Sequence, residues 1–177
     1  MEPTITTRQS GACLADTRHR TVGMAVLLIL LALSASCSHA PDARDIHGAP
    51  LRFADSNSPW LIVTYWADWC GACRQEVPVL NALHSADNGI RVWGVDFDSS
   101  KAGANVATLK EKVKRLGIHF PIVAPESVIQ LNIVPPPLLP TSYIVNGQGE
   151  VQKKLVGPRT RAQLERAVTL LQQRPDI

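Results

Sequence analysis

The sequence predicts one α/β domain, a mixed central β-sheet flanked by helices on both faces, behind an N-terminal leader. Three observations predict it. The uninterrupted run Leu61-Ile62-Val63-Thr64-Tyr65-Trp66 is apolar, β-branched and aromatic, the pattern of a strand covered on both faces. Two cysteines, Cys70 and Cys73, follow it at once and open a helix-favouring segment, residues 74–86. Strand and helix patterns then alternate and close with a hairpin and a helix.

Taken in order, residues 41–44 are a short polar linker. Residues 45–53 read as a small hairpin with His47-Gly48 in its turn. Residues 60–66 are the central strand. The first main helix starts at the cysteines and ends before Asn88-Gly89, with Pro78 expected to kink it. Residues 90–95 are a second, parallel strand. Residues 104–116 form an amphipathic helix stopped by Gly117. Residues 120–123 are extended, and 126–131 are a turn or two of helix. Residues 141–145 and 151–156 pair across the turn Asn146-Gly147-Gln148-Gly149. Residues 160–173 are a closing helix with Ala162, Leu164, Ala167, Val168 and Leu171 on or near its inner face.

The leader has its own logic. Arg18-His19-Arg20 precedes an apolar run, residues 22–35, and small residues follow. Charged, then apolar, then small is the order of a secretory signal. The run is shorter than the ~20 residues of a comfortable bilayer span. Three fates stay open: cleavage at Ser38-His39-Ala40, lipidation of Cys37 at a lipobox-like Ser36-Cys37, or an uncleaved anchor. Each places residues 41–177 outside the cytoplasm, in a bacterial periplasm, as a domain separate from the leader, residues 1–40. Without the leader the chain is nearly neutral, so charge steering is weak. No Lys/Arg cluster interleaved with aromatics occurs, so nucleic-acid binding has no support. Four cysteines in 177 residues are too sparse for a disulfide scaffold.

The chemistry lies in Trp69-Cys70-Gly71-Ala72-Cys73. Two cysteines two residues apart at a strand-to-helix junction can close a small reversible disulfide. So small a loop constrains the unfolded chain little, which argues against a structural staple. At a helix N-terminus the unpaired N–H groups and the helix dipole favour a thiolate, making Cys70 the expected solvent-facing nucleophile. Cys73, one turn on and deeper, is the resolving thiol. Glu76 shares a helix face with Cys73; a carboxyl buried there would raise the thiolate's energy and could relay protons, whereas one facing water would be an ordinary helix residue. Asp68 and Arg74 read as solvent-facing charges. Trp66 is expected under the site and Trp69 in an apolar docking surface. His47, His84 and His119 have no ligand spacing around the cysteines, and no cofactor or metal is expected.

Residues 65–78, Tyr-Trp-Ala-Asp-Trp-Cys-Gly-Ala-Cys-Arg-Gln-Glu-Val-Pro, together with Leu139-Pro140-Thr141 and Ile144-Val145-Asn146-Gly147-Gln148-Gly149-Glu150-Val151, resemble the thioredoxin superfamily. More narrowly, the chain resembles its TlpA/ResA-like extracytoplasmic thiol–disulfide oxidoreductases, over residues 45–173. The resemblance implies a thioredoxin-like fold, Glu76 beside the cysteines, and a cis proline at Pro140 whose loop faces them. It implies that Leu139 pairs its backbone with substrate. It also implies a reductant of protein disulfides, such as apocytochrome c or a copper-site assembly protein. Electrons would arrive from a membrane thiol transporter of the DsbD/CcdA kind, and the domain would be tethered through Cys37 or the apolar leader. The chain departs from the pattern at Thr64, where cytoplasmic thioredoxins carry a buried Asp; at Gly71-Ala72 between the cysteines; and at the proline-rich segment Val134-Pro135-Pro136-Pro137-Leu138-Leu139, whose prolines are expected to act as an extended spacer. Two other readings stand beside the reductant. A Dsb-type oxidase or isomerase ranks lower because no His lies between the cysteines. An SCO-like copper metallochaperone would need cysteines three residues apart and a distal His. A peroxiredoxin-type peroxidase lacks its Pro and Thr ahead of the cysteine.

Overall fold

The computed structural model describes residues 42–53, 55, 59–103 and 105–173. The leader, with Cys37 and its alternative processing sites, lies outside the described residues. The unit Pro41–Ile177 is compact by itself. Two short strands, β1 (Ala43–Arg44) and β2 (Pro50–Leu51), pair antiparallel. Between them Gly48 takes φ +87°, and Asp45 Oδ1 accepts the N–H groups of His47 and Ala49, each at 2.8 Å.

The main sheet has four strands in the order β4-β3-β5-β6: β3 (Trp60–Trp66), β4 (Ile90–Asp96), β5 (Thr141–Val145) and β6 (Val151–Val156). β3 and β4 run parallel, while β5 is antiparallel to both β3 and β6. The mixed sheet of the predicted thioredoxin-like fold is therefore present. β3 lies between two neighbours and six of its seven residues are buried, as its apolar run requires. Its alternate residues divide the core. Ile62 and Trp66 face one cluster; Leu61, Val63 and Tyr65 face the other.

Three helices supply the first cluster: α1 (Gly71–His84), α3 (Val106–Leu116) and α5 (Arg161–Gln172). In α5, Leu164, Ala167, Val168 and Leu171 recur at helical spacing and are buried. Each large apolar side chain covered in this way contributes roughly 1.5–3 kcal/mol. Ala162, predicted on or near the inner face, is exposed, because it falls in the first turn of the helix. Thr160 and Gln163 close a reciprocal capping box at the N-terminus of α5. The opposite face is covered more thinly, by the four-residue α4 (Glu126–Ile129), the segment through Ile133 and the β1–β2 hairpin.

The structure differs from expectation in places. Residues 43–44, expected in the linker, form β1, because Ala43 packs in the core and pairs with Leu51. The amphipathic helix begins at Val106, not at residue 104, because Asn105 is its cap and accepts the Thr108 N–H at 3.1 Å. One further turn, α2 (Ser99–Ala102), was not predicted; a four-residue helix leaves no periodicity to read. Pro78 sits within α1, which continues past it to His84. Gly117 ends α3 in the left-handed conformation at φ +62°. Residues 121–123 run beside β4, with the Gly94 N–H donating to Pro121 O and the Val123 N–H to Gly94 O. Gly94 is required there. A Cβ would stand 2.5 Å from Ile122 Cδ1 and 2.9 Å from both Phe120 and Trp66 Nε1.

Candidate active site

The C-terminal end of β3 delivers the chain to residues 67–70, and α1 starts at Gly71. Cys70 is the cap of α1, with extended backbone (φ −80°, ψ 106°). Its Sγ accepts the Cys73 N–H at 3.1 Å, one of the donors a helix leaves unpaired at its start. Cys70 and Cys73 are joined as a disulfide, their Cα atoms 5.3 Å apart. Cys70 is 8% exposed and Cys73 3%. The order is the predicted one, but Cys70 is largely covered rather than open to solvent, since it packs in the same cluster as Trp66 and Val77.

Register brings the proline loop to the same end of the sheet. Tyr65 pairs with Thr141, so Pro140 falls opposite Trp66. The Leu139–Pro140 peptide is cis. Pro140 is buried, Leu139 half-buried and Leu138 exposed, so the proline sets the path of the loop while the leucines form its outer surface. Of the proline run, Pro136 is buried between exposed Pro135 and Pro137. It is seated on the domain rather than held off as a spacer. Trp66 is buried beneath the cysteines, as expected. The departure at Thr64 is accommodated by a neighbour: its Oγ1 accepts from the Ser142 hydroxyl at 3.1 Å inside the core.

Glu76 is 2% exposed. Its Oε1 accepts the backbone N–H of Arg159 at 2.9 Å, from the loop between β6 and α5. Its Oε2 has no hydrogen-bond partner among the described residues. Burial pushes this carboxyl up to about 7, and the Arg159 N–H and guanidinium only partly oppose it. Near neutral pH it can therefore hold or release a proton one helical turn from Cys73.

Trp69 is 62% exposed. Its indole N–H donates to both carboxylate oxygens of Asp98, at 3.1 and 3.2 Å, and its ring meets Phe97 edge-on with centroids 6.2 Å apart. Asp68, expected to face solvent, is only partly exposed. It is ion-paired with Arg115 at 2.6 Å and with Lys112 at 3.6 Å. Arg74 is exposed, as predicted.

Sequence reasoning missed two parts of this site. One is Arg159, which had no local signal beyond preceding a capped helix. The other is the carboxylate group Asp96 and Asp98 with Lys112. A signal existed for the carboxylates: adjacent parallel strands end together, so residues just past β4 must lie beside those just past β3. Among the described residues no group of three or more His, Cys, Asp or Glu is arranged to hold a metal ion. His84 Nδ1 is occupied by the Val92 N–H at 3.1 Å, and His47 and His119 are exposed. What the arrangement can do is exchange a dithiol for a disulfide beside a titratable, buried carboxyl.

Comparison with known proteins gives the same chemistry. Residues 37–154 match the AhpC/TSA family. The thiol–disulfide oxidoreductase ResA of Geobacillus kaustophilus is 28% identical over 131 residues, covering 73% of this chain and 74% of that protein. ResA of Bacillus subtilis is 23% identical over 157 residues, 85% of each. Among solved structures, a thiol:disulfide interchange protein of the thioredoxin family from Chlorobium tepidum superposes with a TM-score of 0.57 at 26% identity, over 77% of this chain and 98% of that one. StoA from Bacillus subtilis, at 24% identity and TM-score 0.57, covers 71% and 93% and shares the fold.

Proposed function

The chain belongs to the AhpC/TSA family, as a ResA-like thiol–disulfide oxidoreductase acting on protein disulfides, and we propose that it works as an extracytoplasmic reductant with Cys70 as nucleophile and Cys73 as resolving thiol. The Cys70 thiolate attacks one sulfur of a substrate disulfide. A mixed disulfide forms and the other substrate sulfur leaves as a thiolate. The Glu76 carboxylate takes the Cys73 proton, and the Cys73 thiolate attacks Cys70 Sγ. The second substrate thiolate departs, so two electrons pass to the substrate and the Cys70–Cys73 disulfide remains.

The observation that carries the direction is the buried Glu76 behind Cys73, with only Gly71-Ala72 between the cysteines. Strong oxidants of this chemistry have a reduced form stabilised around the thiolate. Here no cation stands between the cysteines, and a nearby carboxylate disfavours a second negative charge. Both lower the stability of the reduced form and favour giving electrons away. Trp69, Leu139 and Pro140 are the proposed substrate face.

The leader's order of charge, apolar run and small residues supports export, with a tether through Cys37 or the apolar run. No described helix is long and apolar enough to cross a membrane. An oxidising compartment requires a dedicated source of electrons, which the resemblance supplies as a membrane thiol transporter of the DsbD/CcdA kind. Apocytochrome c or a copper-site assembly protein is the corresponding substrate.

The test is the equilibrium reduction potential of the Cys70/Cys73 couple in defined thiol buffers. A value near or below about −230 mV, towards thioredoxin at about −270 mV, supports a reductant. A value nearer about −120 mV reverses the direction. A Cys73→Ser variant leaves the mixed disulfide unresolved and identifies the partner by its trapped adduct. If no adduct forms on Cys70 in cells, the exchange mechanism fails.

A further inference from the structure

Lys112 projects from α3 into a group of carboxylates contributed by the segment after β3 and by the end of β4 with the segment after it. Its Nζ lies 2.9 Å from Asp98 Oδ2, 3.3 Å from Asp96 Oδ1 and 3.6 Å from Asp68 Oδ1. Asp68 precedes the cysteines after β3. Asp96 and Asp98 lie at the end of β4 and just past it. Asp96 is buried, and its Oδ2 accepts both the N–H and the hydroxyl of Ser99. Three carboxylates this close repel one another unless a cation stands between them. Lys112 is that cation, with its side chain only 15% exposed. Burial alone would make it a weaker base. Its hydrogen bond to Asp98 and the charges of Asp96, Asp98 and Asp68 outweigh that and keep it protonated. Arg115, far more exposed, pairs with the outer oxygen of Asp68 alone.

The group ends on Trp69. Asp98, held by Lys112, accepts the Trp69 indole N–H with both oxygens. Phe97, between the two carboxylates, meets the Trp69 ring edge-on and carries Lys101 Nζ 4.4 Å above its own ring. Most of the Trp69 ring remains open to solvent, directly before Cys70. An exposed aromatic ring free to rotate loses that freedom when a partner docks; a ring already held does not.

We propose that Lys112 is a positioning residue for substrate: through Asp98 it holds the exposed Trp69 ring in one orientation, so that a polypeptide docks beside Cys70 against a preformed apolar face. This rests on the reading that Trp69 belongs to the substrate face. The reacting sulfurs are untouched by the Lys112 contacts, so the effect falls on a polypeptide partner and not on a small thiol.

The oxidised full chain is reduced with an excess of either of two monothiol probes, 2-mercaptoethanol and an extended apolar decapeptide with one central cysteine; two probe thiols reduce each Cys70–Cys73 disulfide and leave as the probe disulfide, and the apparent rate constants at equal thiol concentration are compared. The expected result is a preference for the decapeptide. Lys112→Gln and Asp98→Ala reduce that preference about tenfold, the low end of the loss expected for a broken charge-assisted hydrogen bond. Lys112→Arg restores it, and Lys110→Gln, exposed on the same helix, leaves it unchanged. If Lys112→Gln does not fold, Asp98→Asn decides, since it keeps an oxygen for the Trp69 N–H, removes the charge that Lys112 pairs with, and lies at a side chain 41% exposed. Should Trp69→Ala lower the preference while the Lys112 and Asp98 variants keep it, Lys112 has no positioning role and the substrate face stands. Should Trp69→Ala keep it, or the native chain show no preference, the substrate-face reading fails and takes this proposal with it. A parallel loss with both probes places the effect on the cysteines and overturns the proposal.

Discussion

Replacing Glu76 by glutamine keeps the shape of the side chain and an acceptor for the Arg159 N–H, and removes only the titration. The unfolded carboxyl titrates near 4.5, the folded one near 7. Between those values the folded chain retains a proton that the unfolded chain has released. Stability therefore falls as pH rises through that window, with no penalty below about pH 4.5 and the full penalty above about pH 7. At about 1.4 kcal/mol per pH unit, the displacement corresponds to about 3 kcal/mol. Glu76→Gln has no such slope. Relative to the native chain, it gains about 3 kcal/mol between pH 4 and pH 8. The assay is urea unfolding of the oxidised protein at several pH values, the disulfide keeping the thiols from titrating. His84, whose basicity is lowered by burial and by Arg91, contributes a slope of the opposite sign below pH 6.5. It is common to both proteins and cancels in the difference. Two profiles that stay parallel from pH 4 to pH 8 would refute the reasoning, because Glu76 would then titrate at the same pH folded and unfolded.

Other perturbations test the frame around the site. Gly94→Ala forces a methyl into Ile122, Phe120 and Trp66, and is expected to cost about 1–3 kcal/mol by urea unfolding; a loss below about 0.5 kcal/mol would mean those rings yield easily. Ser142→Ala leaves the Thr64 hydroxyl buried without its donor and should cost about 1–2 kcal/mol, while adding Thr64→Val recovers part of it. Strict additivity of the pair would show that the hydrogen bond is energetically silent. Thr160→Ala removes the cap of α5 and should lower stability by about 1 kcal/mol, together with faster amide exchange in its first turn.

Much of this fold is written in short-range pattern. A both-face-buried strand such as β3 must be apolar throughout, and an amphipathic helix such as α5 must repeat its apolar residues at helical spacing, so each is visible within a dozen residues. The Cys70/Cys73 pair, the turn at residues 146–149 and the stop at Gly117 are local for the same reason. Glu76 could be placed on the cysteine face of its helix from spacing alone.

Its burial could not. That depends on the loop before α5 closing over α1, which joins Glu76 to a backbone N–H 83 positions away. The lift of its carboxyl toward neutrality follows from that closure and not from its neighbours in the chain. Asp68 shows the same gap: beside a polar motif it reads as a surface charge, and only the parallel pairing of β3 with β4, with α3 packed on the sheet, gathers Asp68, Asp96 and Asp98 around Lys112. The strands, the longer helices and the place of the two cysteines are local properties, because backbone propensity and apolar periodicity act over one or two turns. The charge state and the partners of the groups around the sulfurs are properties of the folded chain, because desolvation and Coulomb interactions depend on distance through space.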